Sequence, residues 1–131
     1  MYKASNIAPM DVIQDTCIEV QTFLEQSYDA DNGTAVVERA QKMEQYMAVT
    51  GKMLADAKYH FSDVFESGFM KAIKENIDIA PSTLNKYLDS LVKDYAYIVN
   101  WIDRLNRSCT HQLDFSRTII SKLKNEMKQF T

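Results

Sequence analysis

Residues Val36 to Val64 read VVERAQKMEQYMAVTGKMLADAKYHFSDV. Within this stretch Val36, Ala40, Met43, Met47, Thr50, Leu54, Ala57, Phe61 and Val64 recur at alternating spacings of four and three. A strand would alternate every second residue. This spacing instead puts the apolar side chains along one stripe of a helix that packs lengthwise against others at a shallow angle. The same repeat runs through Met10, Ile13, Cys17, Val20 and Leu24 upstream. Downstream it continues through Leu84, Leu88, Leu91, Tyr95, Ile98, Ile102, Leu105, Cys109, Gln112, Ser116, Ile119, Leu123 and Phe130. The expected fold is all-α, a long antiparallel helical hairpin with a shorter N-terminal helix.

Punctuation divides the chain at two places. Pro9 suits the first turn of a helix, and Ser27 to Gly33, SYDADNG, is rich in turn formers. Asp78 to Thr83, DIAPST, ends the second segment, because Pro81 cannot continue a helix but can begin one. Helices over about 9–28, 34–79 and 82–129 form one α-helical domain over 1–131. At about 1.5 Å per residue, each of the last two would span roughly 65 to 75 Å. A compact chain of this length has a radius of gyration near 14 Å. Either the helices break, with Gly51 and Ser67-Gly68 the obvious places, or the hairpin is elongated and shares its seam with a second copy. The second arrangement is preferred. It predicts a homo-oligomer, most simply a dimer, through Met43 to Met53 and Ile119 to Met127.

Composition agrees with long helices: three Gly and two Pro in 131 residues, with seven Met. Cys17 and Cys109 are isolated thiols inside apolar patterns and read as buried small side chains. The N-terminus has no signal-peptide pattern and no apolar run approaches the length of a membrane span. A soluble cytoplasmic location, without membrane association, is therefore expected. The formal charge of −3 is unevenly distributed. Residues 1–31 hold one Lys against six acids, and 104–131 hold six Arg and Lys against two acids. Packing of these segments side by side is the simpler explanation; a nucleic-acid-binding tail is the alternative.

Folding the hairpin about Ala80-Pro81 sets residue i level with residue 161 − i, within about a turn. Ala55 to His60, ADAKYH, then faces Trp101 to Arg107, WIDRLNR. Lys58, Arg104 and Arg107 supply positive charge there, while Tyr59, His60, Trp101 and His111 offer flat rings and hydrogen bonds. Arg grips phosphate or carboxylate as a fork and stacks on aromatic planes, so the cluster suits an anionic, nucleotide-like ligand. The structural alternative pairs Lys58 with Asp103 and Asp56 with Arg104 or Arg107, leaving Trp101 to fill the hairpin. Gln112 and Ser116, polar residues on an apolar seam, read as register-setting.

LADAKYH (Leu54 to His60) and YIVNWIDRLNRSCTHQLD (Tyr97 to Asp114) resemble segments of short, functionally uncharacterised proteins of bacteriophages and prophages. The likeness spans roughly Met43 to Met127. It implies a small accessory protein acting in the cytoplasm of an infected or lysogenic bacterium, and it carries no catalytic residues over.

No GxSxG elbow, P-loop, HExxH helix or EF-hand loop occurs. Asp56 with His60, and His111 with Asp114, can each share a helix face, yet the hairpin separates the two histidines. Neither a metal nor another cofactor is expected, and an enzyme is disfavoured. The leading functional expectation is a non-enzymatic oligomer that binds an anionic ligand, such as a host signalling nucleotide. A protein-interaction adaptor is the first alternative. A nucleic-acid binder using Arg104, Arg107, Arg117, Lys122, Lys124 and Lys128 is the second.

Overall fold

The computed structural model describes residues 6–75 and 80–129. Four helices follow in order: α1 (Met10–Glu25), α2 (Gly33–Lys74), α3 (Pro81–Leu91) and α4 (Lys93–Gln129). Among the described residues there is no strand. The all-α expectation holds, and several boundaries move.

α1 stops at Glu25 rather than near 28, because Gln26 turns to extended backbone at ψ 133°. α2 starts where Asn32 Oδ1 accepts from the Ala35 N–H at 3.2 Å, an N-cap that satisfies one of the first-turn donors. It then runs for 42 residues straight through Gly51 and Ser67-Gly68, about 63 Å. Neither glycine breaks it. The expected end at 79 lies outside the described residues. The third expected helix is divided at Val92, which sits at φ −97° and ψ 3°. The Val92 N–H still bonds Leu88 O, and the Ala96 N–H bonds Val92 O at 2.8 Å. The backbone ladder therefore persists on both sides, and the division is a local unwinding rather than a loop.

α2 and α4 form the hairpin, and α1 lies against both. Contacts along α1 fix its direction. The segment just before it meets Asp56 and His60 of α2, and its end meets Arg39. Gln21 meets Trp101 midway. α1 is thus antiparallel to α2 and parallel to α4. One continuous core joins Ile13, Cys17 and Val20 of α1 to Tyr46 and Ala57 of α2 and to Ile98, Ile102, Leu105 and Cys109 of α4. α1 makes no contact with α3. Beyond its reach the hairpin is only two helices deep.

The hairpin register matches the sequence arithmetic to within about a turn, with a consistent offset. A Cβ on Gly33 would face Leu123, one on Gly51 would face Asn106, and one on Gly68 would face Leu91. These pairs add to 156, 157 and 159 in place of 161. Pro81 is already the first residue of α3. α4 is displaced by up to about one turn.

Candidate functional site

The polar run Asn100 to Asp114 wraps α4, so its side chains leave in three directions. Ile102, Leu105, Cys109 and Leu113 point into the core. On the flank toward α1, the Trp101 indole N–H donates to Gln21 Oε1 at 3.2 Å. Gln112 Oε1 accepts from the Arg39 guanidinium at 2.7 Å. On the opposite flank, Asn106 Nδ2 donates to Met47 O at 2.9 Å and to Thr50 Oγ1 at 3.0 Å. Arg104, Arg107 and His111 point to solvent. Arg107 pairs with Asp103 one turn away at 3.1 Å. The run is largely a set of fasteners, with one charged face left outside.

The α2 half of the expected cluster divides as well. Lys58 and Tyr59 are exposed, with the Tyr59 ring edge-on to His60 at 6.1 Å. His60 Nε2–H donates to Ala8 O at 2.7 Å, which assigns the proton to that nitrogen. Asp56, almost fully buried, accepts from the Ala8 N–H at 3.0 Å and pairs with Lys52. Lys52 also donates to Asn6 O at 3.1 Å. Lys52, Asp56 and His60, spaced four apart on one face of α2, therefore clasp the segment that leads into α1.

Neither ion pair of the structural alternative forms: Asp56 takes Lys52 instead of Arg104 or Arg107, and Asp103 takes Arg107 instead of Lys58. A partner one turn away on the same helix is in reach whatever the hairpin register. A cross-helix pair depends on that register, which has shifted. Among the described residues, none of the four grooves that stand out is lined by any of the seven expected site residues. The grooves that stand out lie elsewhere, one of about 420 Å³ between the start of α2 and the end of α4, along Val37, Ile120, Leu123 and Met127.

Arg39 was not singled out from the sequence, yet among the described residues it is the most deeply placed basic side chain, with 7% of its surface exposed. Its guanidinium donates to Phe23 O and Leu24 O, both at 3.3 Å, as well as to Gln112. The rings of Phe23 and Tyr28 lie 4.7 and 4.5 Å from it. Its counter-charge is the carbonyl end of α1, the negative end of that helix's dipole. One signal was available. The residues three and four away, Ala35, Val36, Lys42 and Met43, include no acid, so Arg39 has no surface partner on its own helix.

Met43, in the segment expected to join two copies, is fully buried within one chain, and Met47 and Met53 pack against the same core. Cys17 and Cys109 are buried free thiols. Burial raises the Cys17 pKa from 9.0 to about 11 and moves Cys109 the same way, although Arg39 opposes the second shift. Among the described residues no three His, Cys, Asp or Glu side chains gather where a metal could bind. None of the described helices is long and apolar enough to cross a membrane.

A row of exposed apolar side chains lies on the distal half. Phe61, Phe65, Phe69 and Ile73 form a row four residues apart on α2. Phe61 and Phe65 stack with ring centroids 6.5 Å apart. Phe65, Phe69 and Ile73 are 36%, 39% and 54% exposed, with Met70, Tyr87 and Leu91 also open. In the sequence, Phe65, Phe69 and Ile73 fall off the three-four stripe that ends at Phe61 and Val64.

No protein-family model, curated protein or solved structure matches the chain.

Proposed function

We propose that the chain is a non-enzymatic helical adaptor that docks a helix of another protein on the Phe61 to Ile73 row. The supporting observation is that row itself: aromatic side chains exposed at i, i+4 spacing where the hairpin has no third helix. Such a row is a ridge, and ridges of this kind fit the grooves of a second helix crossing at about −50°. Apolar surface of this sort marks interaction sites on stable chains. On the resemblance to bacteriophage proteins, the partner is a host or phage protein in the bacterial cytoplasm.

A photo-crosslinking side chain at Phe69, compared with one at the exposed Thr118, tests this reading. The Phe69 probe should trap a partner, and excess unlabelled protein should compete while the Phe65→Ser/Phe69→Ser variant should not. Equal trapping at both positions, or equal competition by the variant, removes the support.

A second reading retains the anionic, nucleotide-like ligand. It is favoured by Lys58, Arg104 and His111, which are exposed and make no ion pair among the described residues. Small-molecule sites are usually concave, and these residues sit on an open surface. Trp101, the only tryptophan, reports on the patch. Nucleotides should change its fluorescence, and Arg104→Ala should abolish that change at unaltered thermal stability. A flat titration counts against this reading and leaves the adaptor untouched.

A further inference from the structure

α1 and α4 run side by side, as the opposite charges of their sequences suggest, yet among the described residues no ion pair joins them. α1 presents Asp11, Asp15, Ile18, Thr22 and Glu25 along one outward stripe, every one of them exposed. These positions are separated by four, three, four and three residues, the spacing of a helix contact seam. α4 presents a second stripe at the same spacing: Tyr97, Trp101, Arg104, Ser108, His111 and Phe115. Tyr97 and Phe115 are 65% and 59% exposed, and Ile18 on the α1 stripe is 50% exposed. Gln21 and Trp101 bond across the line between the stripes. One face of the molecule therefore carries an acidic row and a cationic-aromatic row, parallel and adjacent.

We infer that this face is the contact surface of a symmetric dimer, with the α1 stripe of each copy laid on the α4 stripe of the other. Charge complementarity selects the occupant, because the row that suits the cationic stripe belongs to the same chain. A nucleic acid along Arg104 would instead run beside the acids of α1. Charge also selects the symmetry. A two-fold axis parallel to the helices exchanges the rows, so Glu25 faces Arg104 and the apolar residues of each stripe meet the other. A two-fold axis across the helices sets acid on acid and cation on cation. Only the first arrangement is self-complementary in the manner an isologous interface requires. The parallel course of α1 and α4 keeps Glu25 near the level of Arg104 of the other copy. Ile18, Tyr97 and Trp101 supply the apolar centre. The inference is independent of the Phe61 to Ile73 row, which lies on α2 and outside both stripes.

Analytical ultracentrifugation of the full chain tests it, at about 0.1 M salt and again near 1 M, where the screening length falls from about 10 Å to 3 Å. The dimer dissociation constant should rise about tenfold with salt. Arg104→Glu and Glu25→Lys should each weaken the dimer by about tenfold or more, like charges then facing across the interface. The Arg104→Glu/Glu25→Lys double variant should recover most of the affinity. Both residues are exposed, and circular dichroism confirms that each variant is folded. A monomer at low salt overturns the inference. So does a dimer indifferent to salt and to both reversals. If that dimer is also dispersed by Phe69→Ser, the aromatic row is the self-contact and the charged face is not. Two destabilising single variants without recovery in the double exclude the parallel symmetry.

Discussion

The middle of the α2–α4 hairpin and its distal end continue the same apolar repeat but finish differently. In the middle, α1 adds Ile13, Cys17 and Val20, and a single core of three helices closes around Ile102 and Cys109. Polar fasteners hold α1 at both ends: Lys52, Asp56 and His60 on its approach, Arg39 on its last carbonyls. At the distal end α3 meets α2 at Gly68, with little more than Gly68, Ala72, Leu88 and Val92 buried. Two helices cannot enclose each other's apolar stripes, because each stripe covers more than the line along which two cylinders touch. A repeat read from sequence gives the length of a seam. The third helix determines how much of it leaves water.

Substitutions in the two halves should separate sharply. Ile102→Ala removes a fully buried side chain from the three-helix core and should cost about 2–5 kcal/mol. Phe69→Ala removes a larger side chain from an exposed site and should change stability by no more than about 0.5 kcal/mol. Urea unfolding of both variants measures the contrast. Equal losses would mean that the distal row is core and would end its reading as a docking ridge.

Arg39→Met sharpens the comparison within the covered half. The methionine keeps the stem and leaves Phe23 O, Leu24 O and Gln112 without their donor. A loss of about 3 kcal/mol is expected from unsatisfied buried acceptors. Hydrogen exchange should show α1 losing protection ahead of the α2–α4 pair. Loss spread evenly over all helices would show that Arg39 does not act through α1.

High pH examines the same core through its thiols. Cys17 stays neutral to about pH 11 in the folded chain, whereas an exposed thiol ionises near 9.0. Its contribution is fully present below pH 9, declines as the unfolded chain ionises, and is gone as pH passes about 11. Cys109 and Tyr46 are shifted upward too, Tyr46 by burial first and then by Glu19. Stability should fall between about pH 9 and 11, by on the order of 2 kcal/mol for Cys17 alone. In a Cys17→Ala variant the fall should be smaller.

Much of the architecture was legible because a single physical signal carried it. Apolar residues at three-four spacing imply helices, and Ser27 to Gly33 and Asp78 to Pro81 imply reversals. Register was less legible, since Pro81 marks a boundary without saying on which side the chain turns. The candidate site was read from that register alone, which leaves α1 out. Trp101 and His60 found partners on α1 and the segment before it, contacts that no hairpin arithmetic contains. Gln112 was readable as a polar seam residue, but its partner Arg39, 73 positions away, was not. Arg104 and His111 are the residues left outside, together with Tyr97 and Phe115, which the sequence did not distinguish from core aromatics.

The two glycines of α2 provide the finest comparison between the halves. Each lies in a continuous helix, where alanine is favoured over glycine by about 1 kcal/mol. At Gly51, beside the covered core, a new Cβ would lie 3.7 Å from Asn106 Nδ2, an ordinary contact. Gly51→Ala should therefore raise stability by about 0.5–1 kcal/mol. At Gly68 the Cβ would lie 2.3 Å from Leu91 Cδ2 and 3.4 Å from Leu88 Cδ2. Leu91 is partly exposed and its end can swing away, so the overlap need not unfold the chain. Moving it still separates α3 from α2, and Gly68→Ala should show no gain, or a loss of up to about 1 kcal/mol. Thermal melts of the two single variants decide the point. A gain at Gly68 equal to that at Gly51 would show that α3 does not depend on close approach there, and that the distal half is held by something other than the Gly68–Leu91 contact.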